Sequence, residues 1–235
     1  LPSPSYLSSE VQGIEMPQQA YRICRTIGRI IEHQCLRKHV LYPERAYMEG
    51  PVIFAPTHLS HLEPFLVGIH LKRRVHMLAR IEFYQYRLAR FLLNQVDCIP
   101  INRFGVPVRA IRKAIALLGQ GEVIGIFPEG GVRIGGNSVM RGGKIKQGVC
   151  LLAHRTRVPV VPVVVLGADK LNCVSPWLPF RRGRIWMAFG EAVRSDPLLH
   201  RRAARAEMAM RLEKAYIELY QQLLASAGLQ DSQIP

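Results

Sequence analysis

No stretch of this 235-residue sequence reaches the about 18 to 20 consecutive apolar residues that a membrane-spanning helix requires. The longest apolar run, Val158 to Ala168, is interrupted by Pro159, Pro162 and Gly167 and reads as a buried strand. The opening LPSPSYLSSE has neither a basic n-region nor an apolar h-region, so no signal peptide is expected. Cysteine is scarce and odd in number: five, at positions 24, 35, 98, 150 and 173, with no CxxC pair. That excludes a disulfide scaffold, argues against a zinc site and suits a reducing compartment. Acidic residues are few as well, 17 against 32 Lys and Arg, leaving a net charge of +15 and a sequence pI near 10.2. Such an excess predicts anionic partners. Nucleic acid is set aside, because the basic residues are dispersed and no recognised nucleic-acid motif is present.

What is present is globular. Apolar residues make up 49% and charged residues 21% of the chain, which excludes global disorder. The length is about one and a half times a typical ~150-residue domain, as expected of one α/β domain with decorations. Residues 1–19 are rich in Pro, Ser and Gln and read as a loosely ordered arm. From Ala20 to about Lys38, Ala20, Ile23, Cys24, Ile27, Ile30, Ile31 and Cys35 recur at three- and four-residue spacing, with Arg22, Arg25, Arg29 and Arg37 mainly between them. This predicts a basic amphipathic helix, either docking on a core or lying in a membrane interface with its arginines on anionic headgroups. The predicted organisation is therefore an arm and amphipathic helix over 1–48 and an α/β domain over 49–235.

In the second part, apolar runs at 51–55, 75–78, 96–101, 123–127, 160–166 and 185–189 alternate with helix candidates near 64–71, 82–94, 106–119 and 146–155. Apolar strands separated by helices predict a mostly parallel sheet covered on both faces, with its site where loops leave the carboxyl ends of the strands. Beyond Asp196-Pro197, a stripe of Met208, Leu212, Ala215, Tyr216, Leu219, Tyr220 and Leu223 predicts a long C-terminal helix packed on the domain.

Three segments carry chemistry. After the first strand, Thr57-His58-Leu59-Ser60-His61-Leu62-Glu63-Pro64 places a carboxylate five residues beyond a histidine. A carboxylate there can fix the imidazole tautomer, leaving the other ring nitrogen to take a proton from a hydroxyl. Equally, Ser60 and Glu63 match the Ser-x-x-Glu capping box, in which Glu63 serves only the backbone. Pro64 favours the first helical position and would make Glu63 the cap residue. The second segment, Phe127-Pro128-Glu129-Gly130-Gly131-Val132-Arg133, ends a strand with an acid and pliable backbone able to face an anion or oxyanion. The third, Ile99-Pro100-Ile101-Asn102-Arg103, sets an arginine just past a strand, where a guanidinium fork suits phosphate. A Cys-His nucleophile or a zinc set drawn from His61, Cys98 and Cys150 has no supporting spacing; cysteines near strand ends are core residues in the ordinary case.

In order and separation, His-x4-acid-Pro, Ile-Asn-Arg, Phe-Pro-Glu-Gly and Val158-Pro159-Val160-Val161-Pro162-Val163 resemble the PlsC-type glycerolipid acyltransferase family, the lysophosphatidic acid acyltransferase group, over roughly residues 50 to 190. The resemblance implies transfer of a fatty acyl group from a thioester carrier, CoA or acyl carrier protein, to the hydroxyl of a lysolipid such as 1-acylglycerol-3-phosphate. It needs no metal or tightly held cofactor, and it implies a peripheral position on the cytoplasmic side of an anionic membrane. By resemblance His58 is the general base, Glu63 orients it, and Arg103 with Glu129 and Gly130 binds the phosphorylated acceptor. The sequence departs from the family pattern twice. Glu63 stands where Asp is usual, and Gly-Gly-Val-Arg replaces Gly-Thr-Arg-Ser, which displaces the arginine to Arg133. Arg133, Lys144 and Lys146 then become candidates to bind the acceptor. Two alternatives follow from these departures: an acceptor without phosphate (an amino lipid or specialised metabolite), or a noncatalytic lipid-binding member of the fold.

Overall fold

A computed structural model describes residues 18–60, 62–87, 90, 93, 98–102, 107–171 and 183–235. Among the described residues seven strands form one sheet: β1 (Leu36–Leu41), β2 (Val52–Pro56), β3 (Val75–Arg80), β4 (Ile99–Ile101), β5 (Val123–Gly125), β6 (Val160–Leu166) and β7 (Gly183–Phe189). Their order is β1-β7-β6-β2-β5-β3-β4, and every neighbouring pair is parallel except β6 with β7. The helices are α1 (Gln18–Cys35), α2 (Glu63–His70), α3 (Val108–Gly119), α4 (Gln147–Thr156) and α5 (Arg201–Ala227).

The central strands are apolar on both faces because both are covered. In β2, Val52 and Phe54 face a core shared with Leu66 and Val67 of α2, while Ile53 and Ala55 face a second core built with α3, α4 and α5. On the first side Phe54 meets Phe189 edge to face, with ring centroids 6.2 Å apart, a pair worth about 0.5–1.5 kcal/mol beyond its buried area. On the second, the predicted α5 stripe is buried at Met208, Leu212, Tyr216, Leu219 and Leu223. The helix is shorter than the segment after Asp196 suggested. It starts at Arg201, and the chain after Ala227 folds back through a 3-10 turn at Asp231–Gln233.

Residues 36–41, grouped by sequence with the N-terminal arm and helix, belong to the sheet as the strand paired in parallel with β7. The predicted helix of 20–38 therefore ends at Cys35. Strand β5 stops at Gly125 and not at Phe127. The helix candidate at 82–94 opens as a 3-10 turn, Ile81–Gln85, with most of the remainder outside the described residues.

Helix α1 reverses the expected polarity. Arg25 donates through Nη1 to the carbonyl of Leu71 at 2.7 Å and also reaches that of Lys72, and Arg29 Nε donates to the carbonyl of Ile69 at 3.1 Å. These carbonyls end α2, where unsatisfied acceptors and the negative end of the helix dipole attract cations. Arg25 and Arg29 thus bond to the protein. Glu32, also on this side, is buried and pairs with Lys38 at 2.8 Å and with His70 at 3.4 Å. Ile23, Ile27, Ile30 and Ile31 are left outward, 43–59% exposed.

Candidate active site

Strand β2 delivers His58 to the carboxyl edge of the sheet, and the approach is held from two sides. The Thr57 amide donates to Val163 O at 2.9 Å, and Thr57 Oγ1 accepts the Val165 amide at 3.0 Å, stapling the chain to β6. From α5, the buried Tyr216 hydroxyl donates to the carbonyl of Ala55. Burial holds that phenol well above its usual range, so it remains a donor.

Glu63 contacts both the imidazole and the backbone of the loop, although the reciprocal Ser60 half of the capping box does not form. Its Oε2 lies 3.2 Å from His58 Nδ1, while Oε1 accepts the amides of Leu59 at 3.0 Å and Ser60 at 2.6 Å. Leu62, and not Glu63, is the N-cap of α2; Glu63 is its first helical residue and its side chain folds back over the preceding turn. Ser60 Oγ accepts the Leu62 amide at 3.1 Å. One wholly buried carboxylate thus orders the loop and the imidazole together. Because a carboxylate only accepts, the contact places the proton on Nδ1 and assigns the base lone pair to Nε2. The imidazole lies on the Phe127 ring at a centroid distance of 4.2 Å and a tilt of 30°.

Glu129 is turned inward. Its Oε2 accepts the His58 amide at 2.7 Å, and its Oε1 accepts Ser138 Oγ at 2.8 Å and the Val139 amide at 2.9 Å. Burial pushes its carboxyl above the usual range, and the bonds from Val139, Ser138 and His58 partly offset that rise. With its oxygens committed to these donors, the expected contact with an acceptor phosphate becomes a contact with the loop that carries the histidine. Gly130 follows at φ 71°, and a Cβ there would stand 3.1 Å from the Lys146 side chain.

The loop beyond folds back over the histidine: the Arg133 amide donates to His58 O at 2.9 Å, and the Arg133 side chain is exposed. Lys146 stands at the same motif through its amide, which donates to Pro128 O at 2.7 Å. Lys144 is placed differently. Its ammonium pairs with Glu213 of α5 at 2.8 Å. Arg103, His61 and Cys173 lie outside the described residues. Burial pushes the thiol of Cys98 up to about 12 and that of Cys150 up to about 11, which suits core residues and not nucleophiles. Among the described residues no group of three His, Cys, Asp or Glu side chains could hold a metal ion. Sequence reasoning placed Phe127 in the second segment but not against the imidazole, missed Ser138 as part of this site, and read Tyr216 only as core. Nothing in local spacing links residues this far from His58 in the chain to its loop.

Comparison with known proteins gives a concordant set of relatives. A family model described as Acyltransferase matches residues 37–166. The 1-acyl-sn-glycerol-3-phosphate acyltransferase of Bacillus subtilis is 22% identical over 181 residues, 77% of this chain and 85% of that protein. The chloroplastic 1-acyl-sn-glycerol-3-phosphate acyltransferase BAT2 of Brassica napus is 23% identical over 125 residues, 52% of this chain and 35% of that protein. In fold, the chain resembles the crystal structure of the 1-acyl-sn-glycerophosphate acyltransferase PlsC from Thermotoga maritima. The TM-score is 0.62 at 22% identity, over 85% of this chain and 79% of that one.

Proposed function

The chain belongs to the Acyltransferase family, and from that premise we propose that it moves a fatty acyl group from a thioester of CoA or acyl carrier protein to the hydroxyl of a lysophospholipid such as 1-acylglycerol-3-phosphate. The observation that supports this reading is the His58–Glu63 contact, which points one imidazole nitrogen at a buried carboxylate as a general base requires. His58 Nε2 takes the hydroxyl proton as the acceptor oxygen attacks the thioester carbonyl. The tetrahedral adduct collapses with expulsion of the thiolate, and the imidazolium returns the proton to sulfur. The thioester is already activated, so base, oxyanion donor and orientation suffice. For the acceptor phosphate, the supporting groups are Arg133 and Lys146 beside the third motif, and Arg103 by sequence.

The acceptor is a lipid, and the outward isoleucines of α1 offer a surface on which a bilayer can be met from one side. No helix among the described residues is long and apolar enough to cross a membrane. The isoleucines supply apolar contact, and the net charge of +15 supplies attraction to anionic headgroups.

The test is incubation with a panel of acyl-CoA and acyl carrier protein donors and of lysolipids with and without phosphate, read by mass spectrometry. Acylation of a lysolipid is expected. His58→Ala should lower turnover by at least the ~10²–10⁴ of a lost general base while the protein stays folded. Near-normal turnover in that variant overturns the mechanism.

A further inference from the structure

The backbone of His58 is gripped at both polar groups by the loop after β5: its amide by Glu129 and its carbonyl by the amide of Arg133. The grip is only as firm as the carboxylate that makes it. Glu129 is itself held at Oε1 by Ser138 and Val139, which stand at the start of the 3-10 turn Val139–Arg141. Ser138 is 1% exposed.

The turn is closed on itself and then tied down from behind. The Gly143 amide donates to Ser138 O at 2.9 Å, an approach so close that a Cβ on Gly143 would fall 2.2 Å from Asn137 O. Arg141 then spreads its guanidinium over the C-terminal segment. Nε donates to Asp231 Oδ1 at 3.0 Å, Nη1 to Pro235 O at 2.9 Å, and Nη2 to the carbonyls of Asp231 at 2.9 Å and Ile234 at 3.0 Å. The Tyr220 hydroxyl of α5 donates to the same Asp231 carboxylate. An unbroken series of bonds therefore runs from the C-terminal segment through Arg141, the turn, Ser138 and Glu129 to the amide of His58. A planar fork with donors in fixed directions suits such a tie better than a lysine would.

We infer that Ser138, backed by the Arg141–Asp231 latch, is a positioning residue for the acyl transfer: it fixes the Glu129 carboxylate and through it the depth and angle at which His58 meets the acceptor. The inference rests on the proposed reaction at His58 and adds a cause for its geometry. Glu63 fixes which imidazole nitrogen is the base; the Ser138–Glu129 clamp fixes where that nitrogen stands. Misplacement of a reacting group by about 1 Å can cost ~10²-fold in rate without loss of binding.

The test compares Ser138→Ala with Ser138→Thr, which restores a hydroxyl, and with Asp231→Asn, which acts at a position 62% exposed at the side chain. Steady-state kinetics and amide hydrogen exchange of the peptide containing His58 are read on each intact protein. Ser138→Ala is expected to lower kcat by about tenfold or more with both KM values nearly unchanged, and to speed exchange at His58. Ser138→Thr should recover most of both. Asp231→Asn should move both in the same direction by a smaller factor. Unchanged kcat with unchanged exchange in Ser138→Ala overturns the inference; so does a uniform rise in exchange across the sheet, which marks general destabilisation. Should Ser138→Ala fail to fold, Asp231→Asn decides: wild-type kcat and wild-type His58 exchange overturn the inference. The exchange experiment stands whether or not the wild type acylates a lysolipid, so failure of the proposed function is read separately, by absence of wild-type product.

Discussion

At the level of single residues, Glu63 holds the loop and the imidazole with the two oxygens of one carboxylate. This makes a paired substitution informative. Glu63→Gln keeps an oxygen for the Leu59 and Ser60 amides, but turns an amide N–H toward His58 Nδ1. That contact favours the tautomer protonated on Nε2, which cannot accept the hydroxyl proton. We expect Glu63→Gln to lose at least ~10²-fold in kcat, the scale of a disabled general base, with a melting temperature close to wild type. Glu63→Asp keeps the charge and should retain far more activity. Equal activity of the Gln variant would reduce Glu63 to a cap. Spacing alone left dyad and cap open because each assigns the side chain a single partner. Only the backward fold of a first-turn residue lets one carboxylate serve both. Glu129 was legible as an acid at a strand end; its inward turn was not, since its partner Ser138 lies nine residues on in a glycine-rich loop and local pattern gives that serine no direction.

At the level of elements, the strands and helices that cover the sheet were legible because continuous apolar runs and helical stripes are signals of burial. Strand β1 was not. Leu36-Arg37-Lys38-His39-Val40-Leu41 borders β7 alone, and an edge strand in contact with solvent carries charges that interrupt its apolar pattern. Helix α1 was legible as a helix, but its orientation was not: periodicity reports that two faces differ and does not say which one the protein keeps. The carbonyl end of α2 decides it by drawing in Arg25 and Arg29. This separates two kinds of variant. Ile27→Glu with Ile30→Glu should weaken binding to vesicles severalfold or more while leaving the melting temperature nearly unchanged, since both side chains are more than half exposed. Arg25→Ala should do the reverse, lowering the melting temperature by a few degrees with little change in lipid affinity. Flotation on anionic vesicles beside thermal unfolding measures both. Loss of lipid binding in Arg25→Ala alone would return the arginines to the headgroups.

Across the whole molecule, a charge of +15 and an exposed isoleucine face act over different ranges. Raising salt from 0.1 to 1 M shortens the screening length from about 10 Å to about 3 Å and removes only the first contribution. Flotation on anionic vesicles should therefore fall partway and level off, the residue being the share carried by α1. Complete release at 1 M salt would assign all binding to charge. Deletion of residues 1–38 is not a clean way to ask the same question, because it removes half of β1 from the sheet along with the helix.

Helix α1 ends at Cys35 and β1 begins at Leu36, with no linking residue between them. A protein that meets a bilayer through such a helix is mounted on it as a bracket and not moored to it by a rope. Tilt and height pass directly from the helix into the frame of the sheet, and so to the level at which His58 stands. The molecule would then sample one attitude, facing one leaflet, and its search for a lipid acceptor would become lateral diffusion within a plane. A few glycines and serines inserted between Cys35 and Leu36 would restore the slack, leaving lipid binding intact while turnover on vesicles, and not on dispersed acceptor, declines.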